Sequence, residues 1–245
     1  MKLKSIGVVA ALILIMFMSA IETSIVSLGL PTIREDLNVS SSISLVFAVY
    51  FIAIVIANPI VGELLDRMRI LYITIIGVAL FLIGSLMSGM SPTFTFLIIS
   101  RLVQGLGAGV MMALGQIVPK LAFEIPLRYK IMGIVGSVWG ISSIIGPLLG
   151  GAILEFATWH WLFFVNIPIA ILAIILVAIT FHFENESTTT ENKLDVKGLT
   201  LFYCFIFLLL LAIMGHLPFY GVIIAIILAV VAIVWLVRIE SQVSR

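Results

Sequence analysis

Long uncharged stretches alternate with short polar breaks along this chain. An apolar run of roughly 18 or more residues is long enough to cross a bilayer as a helix. Residues 5–30, 43–61, 70–90, 93–118, 131–154, 160–182, 198–216 and 219–237 meet that test, so the pattern predicts eight spans. The run after Arg69 is too long for one span. It breaks at Ser88-Gly89-Met90-Ser91-Pro92, where Gly and Pro favour a turn. Gly215-His216-Leu217-Pro218 divides the last apolar stretch in the same way. The first run follows Met1-Lys2-Leu3-Lys4, a start that a secretory signal would share. It continues to Leu30, too far for a signal core, and Met18-Ser19-Ala20 is a poor cleavage triplet. It therefore reads as a retained span.

Composition removes the competing reading of a soluble core. The chain of 245 residues is 62% hydrophobic and 10% charged, against roughly 45–50% and 25% in soluble domains. This is the balance of an all-α polytopic membrane protein whose first partner is the lipid bilayer. A net charge of +1 provides no basic stripe for nucleic acid. The lone Cys204 excludes an intrachain disulfide.

Charge in the loops sets the orientation. With the N-terminus in the cytoplasm, Lys2, Lys4, Arg67, Arg69, Lys120, Arg128, Lys130 and every later Lys and Arg fall inside. Arg34 alone falls in an outer loop. The positive-inside rule then places both termini in the cytoplasm of a multi-pass protein of the cell membrane. Trp159, Trp161 and Tyr220 fall near outer helix ends and Trp235 near an inner one, as interfacial anchors. Residues 184–197 form the one long polar stretch and read as a solvated linker. The expected organisation is a six-helix bundle over residues 1–183, a cytoplasmic linker over 184–197, and two further helices with a short tail over 198–245.

Two charges interrupt the apolar spans. Glu22 lies in the first and Arg101 in the fourth. An intramembrane ionisable group is a functional candidate by default, because hydrocarbon cannot solvate it. If the first helix ends near Leu30 and the fourth begins near Thr93, each charge is eight residues below the outer face. At 1.5 Å per residue both lie about 12 Å deep. Opposite charges at one depth suggest a pair or a shared cavity. Desolvation and a neighbouring cation act in opposite senses on a carboxyl, so such a group can take up and release a proton as its surroundings change. The competing reading is a static pair that only locks two helices together. Gln104, Gly105 and Ala108 follow Arg101 at helical spacing and share its face.

The fifth helix is rich in glycine: Gly133, Gly136, Gly140, Gly146-Pro147 and Gly150-Gly151. Small residues let backbones approach closely, and Pro kinks the helix. That pattern suggests a moving, sealed contact, with ordinary helix packing as the plainer alternative. Gly62, Asp66 and Arg67 occupy a short inner loop suited to a sharp reversal. Nothing resembles an enzyme, a cofactor site or a metal site. Gly105-Leu106-Gly107-Ala108-Gly109 lies in mid-span without the strand a nucleotide loop needs, and His160, His182 and His216 lack metal-ligand spacing.

Together these segments resemble the 14-helix drug:proton antiporters of the major facilitator superfamily, of the EmrB/QacA type. Ile21-Glu22-Thr23-Ser24-Ile25-Val26, running on to Pro31, looks like that family's first-helix motif, with Glu22 in place of Asp. Gly62-x-Leu64-x-Asp66-Arg67 looks like the start of its inner-loop motif, although Arg69, Ile70 and Leu71 depart from the second half. Arg101-x-x-Gln104-Gly105 resembles the fourth-helix motif. Gly140 with Gly146-Pro147-x-x-Gly150-Gly151 resembles the antiporter motif of the fifth helix. Trp159-His160-Trp161-x-Phe163-x-x-Asn166-x-Pro168 resembles the opening of the sixth.

The resemblance implies proton-coupled efflux of lipophilic or cationic drug-like compounds, with no cofactor. It implies Glu22 and Arg101 as the proton-coupling pair, and Glu22, Gln104 and Asn166 as cavity residues. Gly62, Asp66 and Arg67 would form a conformational gate, and Gly140, Gly146, Pro147, Gly150 and Gly151 a moving seal. Members of the family have a second six-helix bundle that this sequence does not contain. The alternative expectation is a truncated, non-transporting chain that packs against a full-length relative or a separate second half.

Overall fold

The computed structural model describes residues 3–39, 42–182, 196–214, 220, 224 and 227–235. Every regular element among them is a helix. The chain divides into two compact units, Met1–Thr188 and Thr189–Arg245.

The first unit contains α1 (Leu3–Asp36), α2 (Leu45–Leu65), α3 (Ile70–Gly89), α4 (Phe94–Ala122), α5 (Leu127–Phe156), the short α6 (Trp161–Phe164) and α7 (Asn166–Thr180). Six stretches within it are long and apolar enough to span a membrane, α6 and α7 together making the sixth. In hydrocarbon each backbone N–H must find its partner inside its own segment, which is why these runs are helices and nothing else. The turn between α3 and α4 falls at the Ser-Gly-Met-Ser-Pro break. Ser91 Oγ donates to the Met87 carbonyl at 2.9 Å. Thr93 caps α4, its hydroxyl accepting from the Phe96 N–H at 3.3 Å.

The first helix departs from expectation. It does not stop near Leu30 but continues through Pro31 to Asp36. A proline inside a helix removes one donor and need not end it. Here the extension has an anchor: Trp159, beyond α5, donates its indole N–H to Asp36 Oδ2 at 2.8 Å. The anchor also corrects the reading of Trp159 as a membrane-interface residue, because its side chain is 2% exposed. Trp161, at 56%, is the exposed member of the pair.

α4 is the central rod, lodged chiefly between α2 and α3, while α1 packs along α5 and α7, and α3 also meets α7. Close approach explains the glycines of α4. A Cβ on Gly105 would stand 2.5 Å from the Tyr50 carbonyl oxygen of α2, and one on Gly107 would strike the backbone of α3 at Phe81. Packing of this kind replaces the hydrophobic drive that lipid does not supply. The core along these contacts includes Leu12, Ile15, Met18, Phe81, Met111 and Leu114.

In the second unit, α8 (Val196–Met214) covers most of the first predicted further helix. Of the second, near 219–237, positions 220, 224 and 227–235 are helical and the others lie outside the described residues.

Candidate functional site: a buried ring of hydrogen bonds

Glu22 of α1 and Arg101 of α4 meet. Arg101 Nη1 stands 2.5 Å from Glu22 Oε1, and both side chains are fully buried. The same Nη1 donates to Gln104 Oε1 at 2.6 Å, the helical spacing of three having put Gln104 beside it. Gln104 Nε2 then donates to Ser85 Oγ of α3 at 2.7 Å. Asn166, the first residue of α7, completes the circuit. Its Nδ2 donates to Glu22 Oε2 at 2.5 Å and to Ser85 Oγ at 3.3 Å. Glu22, Arg101, Gln104, Ser85 and Asn166 thus form a closed ring contributed by α1, α3, α4 and α7.

Each link is placed by local structure. Gly84 lies against the backbone of Gln104, where a Cβ would overlap it. That contact brings α3 close enough for Ser85 to reach the Gln104 amide. Arg101 is held from three further sides. Its Nε donates to the Val46 carbonyl of α2 at 3.2 Å. Its guanidinium carbon lies 4.0 Å from the Tyr50 ring centroid and 5.8 Å from that of Phe163. Aromatic faces stabilise a desolvated cation by about 2 kcal/mol. Losing one partner of such a buried pair strands the other charge, at about 3–5 kcal/mol.

The ring is not fully saturated. Arg101 Nη2, Asn166 Oδ1 and Tyr50 Oη are buried without a hydrogen-bond partner. These atoms are the spare capacity of the site, a donor, an acceptor and a hydroxyl that can be either.

The remaining sequence candidates are elsewhere. Gly62, Asp66 and Arg67 lie together at the C-terminal end of α2, all exposed, with open space around Gly62. The glycines of α5 divide between two faces. Gly146 packs on Ser24 of α1, and a Cβ on Gly150 would lie 3.0 Å from Leu28 Cδ1. Gly133, Gly136, Gly140 and Gly151 have nothing within 4 Å. With the exposed Pro147 they form a second, outward face. The glycine run is therefore ordinary packing on one side and a bare small-residue face on the other.

Sequence reasoning missed Ser85 and Tyr50, and named Phe163 only within the motif opening the sixth helix, not beside Arg101. Ser85 carried a weak signal, being a polar residue in mid-span. Tyr50 carried none, since aromatics are common in membrane helices.

A helical bundle with a charged ring closed inside its hydrocarbon-spanning part is a polytopic membrane protein built around an intramembrane polar site. The chain belongs to the Major Facilitator Superfamily, whose family model matches residues 12–239. The multidrug efflux pump SdrM of Staphylococcus aureus (strain N315) is 66% identical over 244 residues, 100% of this chain and 55% of that protein. The multidrug transporter protein MdtP of Bacillus subtilis (strain 168) is 34% identical over 193 residues, 78% of this chain and 35% of that one. The chain thus spans about half the length of the first and about a third of the second. A bacterial homolog of the human lysosomal transporter Spinster, in an inward-facing and unoccupied conformation, shares the fold. Its TM-score is 0.59 at 17% identity, covering 86% of this chain and 52% of that one.

Proposed function

We propose that this chain supplies the first bundle of a proton-coupled exporter of lipophilic or cationic small compounds in the cell membrane, with both termini cytoplasmic. Glu22 is its proton carrier and Arg101 the group that holds the carboxylate when the proton has left. The observation that carries this reading is the buried Glu22–Arg101 pair, 2.5 Å apart in the spanning part of the bundle. Intramembrane carboxylates are costly and usually mark ion pathways. Similarity to multidrug pumps supports an export role and the class of cargo.

The mechanism follows from charge accounting. Ionised Glu22 accepts from Arg101 and Asn166, which satisfies both of its oxygens. A proton delivered to Glu22 cancels its charge and leaves Arg101 without a counter-ion. That imbalance weakens the tie between α1 and α4 and biases the bundle toward another arrangement. A cationic cargo approaching the carboxylate competes with the same proton, so one ion leaves as the other arrives. In this superfamily's architecture, binding sites lie between two bundles that rock against each other. The bare face of Gly140, Pro147 and Gly151 fits the close approach of a second bundle, and Gly62, Asp66 and Arg67 fit a gate at the inner rim.

A second reading is also supported by that bare face: a chain that docks on a full-length relative without transporting. One experiment separates them. The chain is co-expressed with a second six-helix bundle, and export of a fluorescent lipophilic cation is followed in everted vesicles under an imposed proton gradient. Gradient-dependent export that is lost in Glu22→Gln supports the exporter. Export unaffected by Glu22→Gln, or none with the bundles properly assembled, overturns it.

A further inference from the structure

We propose that Asn166 reads the protonation state of Glu22, turning its amide over when the carboxyl gains a proton and reversing the hydrogen bond it shares with Ser85. The inference rests on the proton-carrier reading of Glu22 and adds to it the element that carries the change to α3 and α7.

The polarity of the ring is forced. Arg101 can only donate, so Gln104 turns Oε1 to it and Nε2 to Ser85. A carboxylate can only accept, so Asn166 turns Nδ2 to Glu22 Oε2. Ser85 Oγ therefore receives two N–H groups, from Gln104 and from Asn166. Asn166 Oδ1 is left buried with no partner. As drawn, the ring fits only the ionised carboxylate.

A proton on Oε2 changes one thing. That oxygen becomes a donor and now opposes the Asn166 N–H. A half-turn of the amide exchanges Nδ2 for Oδ1 and resolves the conflict. Oδ1 then accepts from the Glu22 O–H, and the Ser85 hydroxyl, still accepting from Gln104, rotates to donate to the same Oδ1. Two bonds made by Nδ2 become two bonds received by Oδ1. The number of bonds is conserved, and Nδ2 moves to the side where Oδ1 had no partner to lose. Ser85 can follow because a hydroxyl donates and accepts. An apolar residue at 166 could not register the proton, and a residue that only accepts could not face the carboxylate.

No other group facing Glu22 can substitute. Arg101 from α4 keeps its protons, Gln104 from α4 has its Oε1 held by Arg101 and its Nε2 by Ser85, and Tyr50 from α2 lies under the Arg101 guanidinium. α3 contributes the uncharged Ser85. The buried face of α5 offers Ser142, Gly146 and Gly150, none of them charged.

The test is pH-difference infrared spectroscopy on the full chain in nanodiscs, with isotope-labelled asparagine. Asn38, Asn58, Asn185 and Asn192 are removed from account by subtracting the spectrum of unlabelled-site Asn166→Gln. The expected result is an Asn166 amide band that moves with the same midpoint as the Glu22 carboxyl band. The amide change is expected to vanish in Glu22→Gln. In Asn166→Val the carboxyl band is expected to persist at a displaced frequency, while Asn166→Gln keeps a coupled, unlabelled amide band. Should Asn166→Gln misfold, a chain in which Asn38, Asn58, Asn185 and Asn192 are changed to Gln keeps Asn166 as its sole labelled amide and decides the matter. A Glu22 band that titrates while the Asn166 amide stays silent overturns this inference and leaves the proton-carrier reading standing. A Glu22 band that titrates neither in the chain alone nor with a complementary six-helix bundle assembled on it removes both.

Discussion

Trp159 and Asp36 are hydrogen-bonded at 2.8 Å although 123 positions separate them in the chain. The bond ties the C-terminal extension of α1 to the segment entering α6. Trp159 also stacks on His160, ring centroids 3.8 Å apart. A buried indole N–H that loses its acceptor keeps the full cost of desolvation.

Trp159→Phe and Asp36→Ala should therefore each lower stability by about 1–2 kcal/mol, read as unfolding of the chain in mixed micelles. Because both act on one bond, the double variant should cost less than the sum of the two. Strict additivity would show that the contact contributes nothing.

At the ring, the order of damage is set by charge. Arg101→Met alone strands a buried carboxylate, and Glu22→Gln alone strands a guanidinium, each at about 3–5 kcal/mol. The double variant Glu22→Gln with Arg101→Met leaves no charge behind and should be more stable than either single change. Equilibrium unfolding checks the ranking. A double variant less stable than both singles would mean that packing, rather than charge, dominates there.

How much of this was legible in the sequence depended on whether a residue's partner could be located. Glu22 and Arg101 stood out because a charge in hydrocarbon has few places to go, and equal depth brought them together even though α1 runs on past Leu30 to Asp36. Helix boundaries followed the polar breaks because backbone groups cannot be left open in lipid. Ser85 carried only a weak signal for the converse reason. A lone serine can bond to its own helix, as Ser100 does to the Phe96 carbonyl at 2.7 Å, and only the register of α3 against α4 shows that Ser85 does not. The fifth helix shows the same limit. Gly136 with Gly140 and Gly146 with Gly150 share a spacing of four, yet only the second pair meets a neighbour in this bundle.

The packed face of α4 and the bare face of α5 yield a contrast between two glycines. Gly105→Ala pushes a Cβ to 2.5 Å from the Tyr50 carbonyl oxygen, a backbone atom that cannot step aside. It should cost about 1–3 kcal/mol. Gly140→Ala meets open space in this bundle and should change its stability by less than about 0.5 kcal/mol. In an assembled exporter the same Gly140→Ala should lower transport well beyond its effect on stability, since a methyl group on the sealing face keeps a second bundle at a distance. Equal transport by wild type and Gly140→Ala, with both assembled, would remove α5 from the seal.

The last expectation concerns the chain by itself. A site enclosed within one bundle has one route to each side of the membrane only if a second body opens and closes against it. Glu22, Gln104 and Asn166 are fully buried in this bundle, so nothing within it presents the carboxylate alternately to the two faces. Reconstituted alone in liposomes, the chain should insert and fold but give no export that depends on a proton gradient. Addition of a complementary six-helix bundle should restore such export, and Glu22→Gln should abolish it again without loss of insertion. Robust gradient-driven export by the chain alone would show that one bundle, or a pair of identical ones, can alternate access unaided, and the role assigned to the bare face of Gly140 and Gly151 would pass to a second copy of this chain.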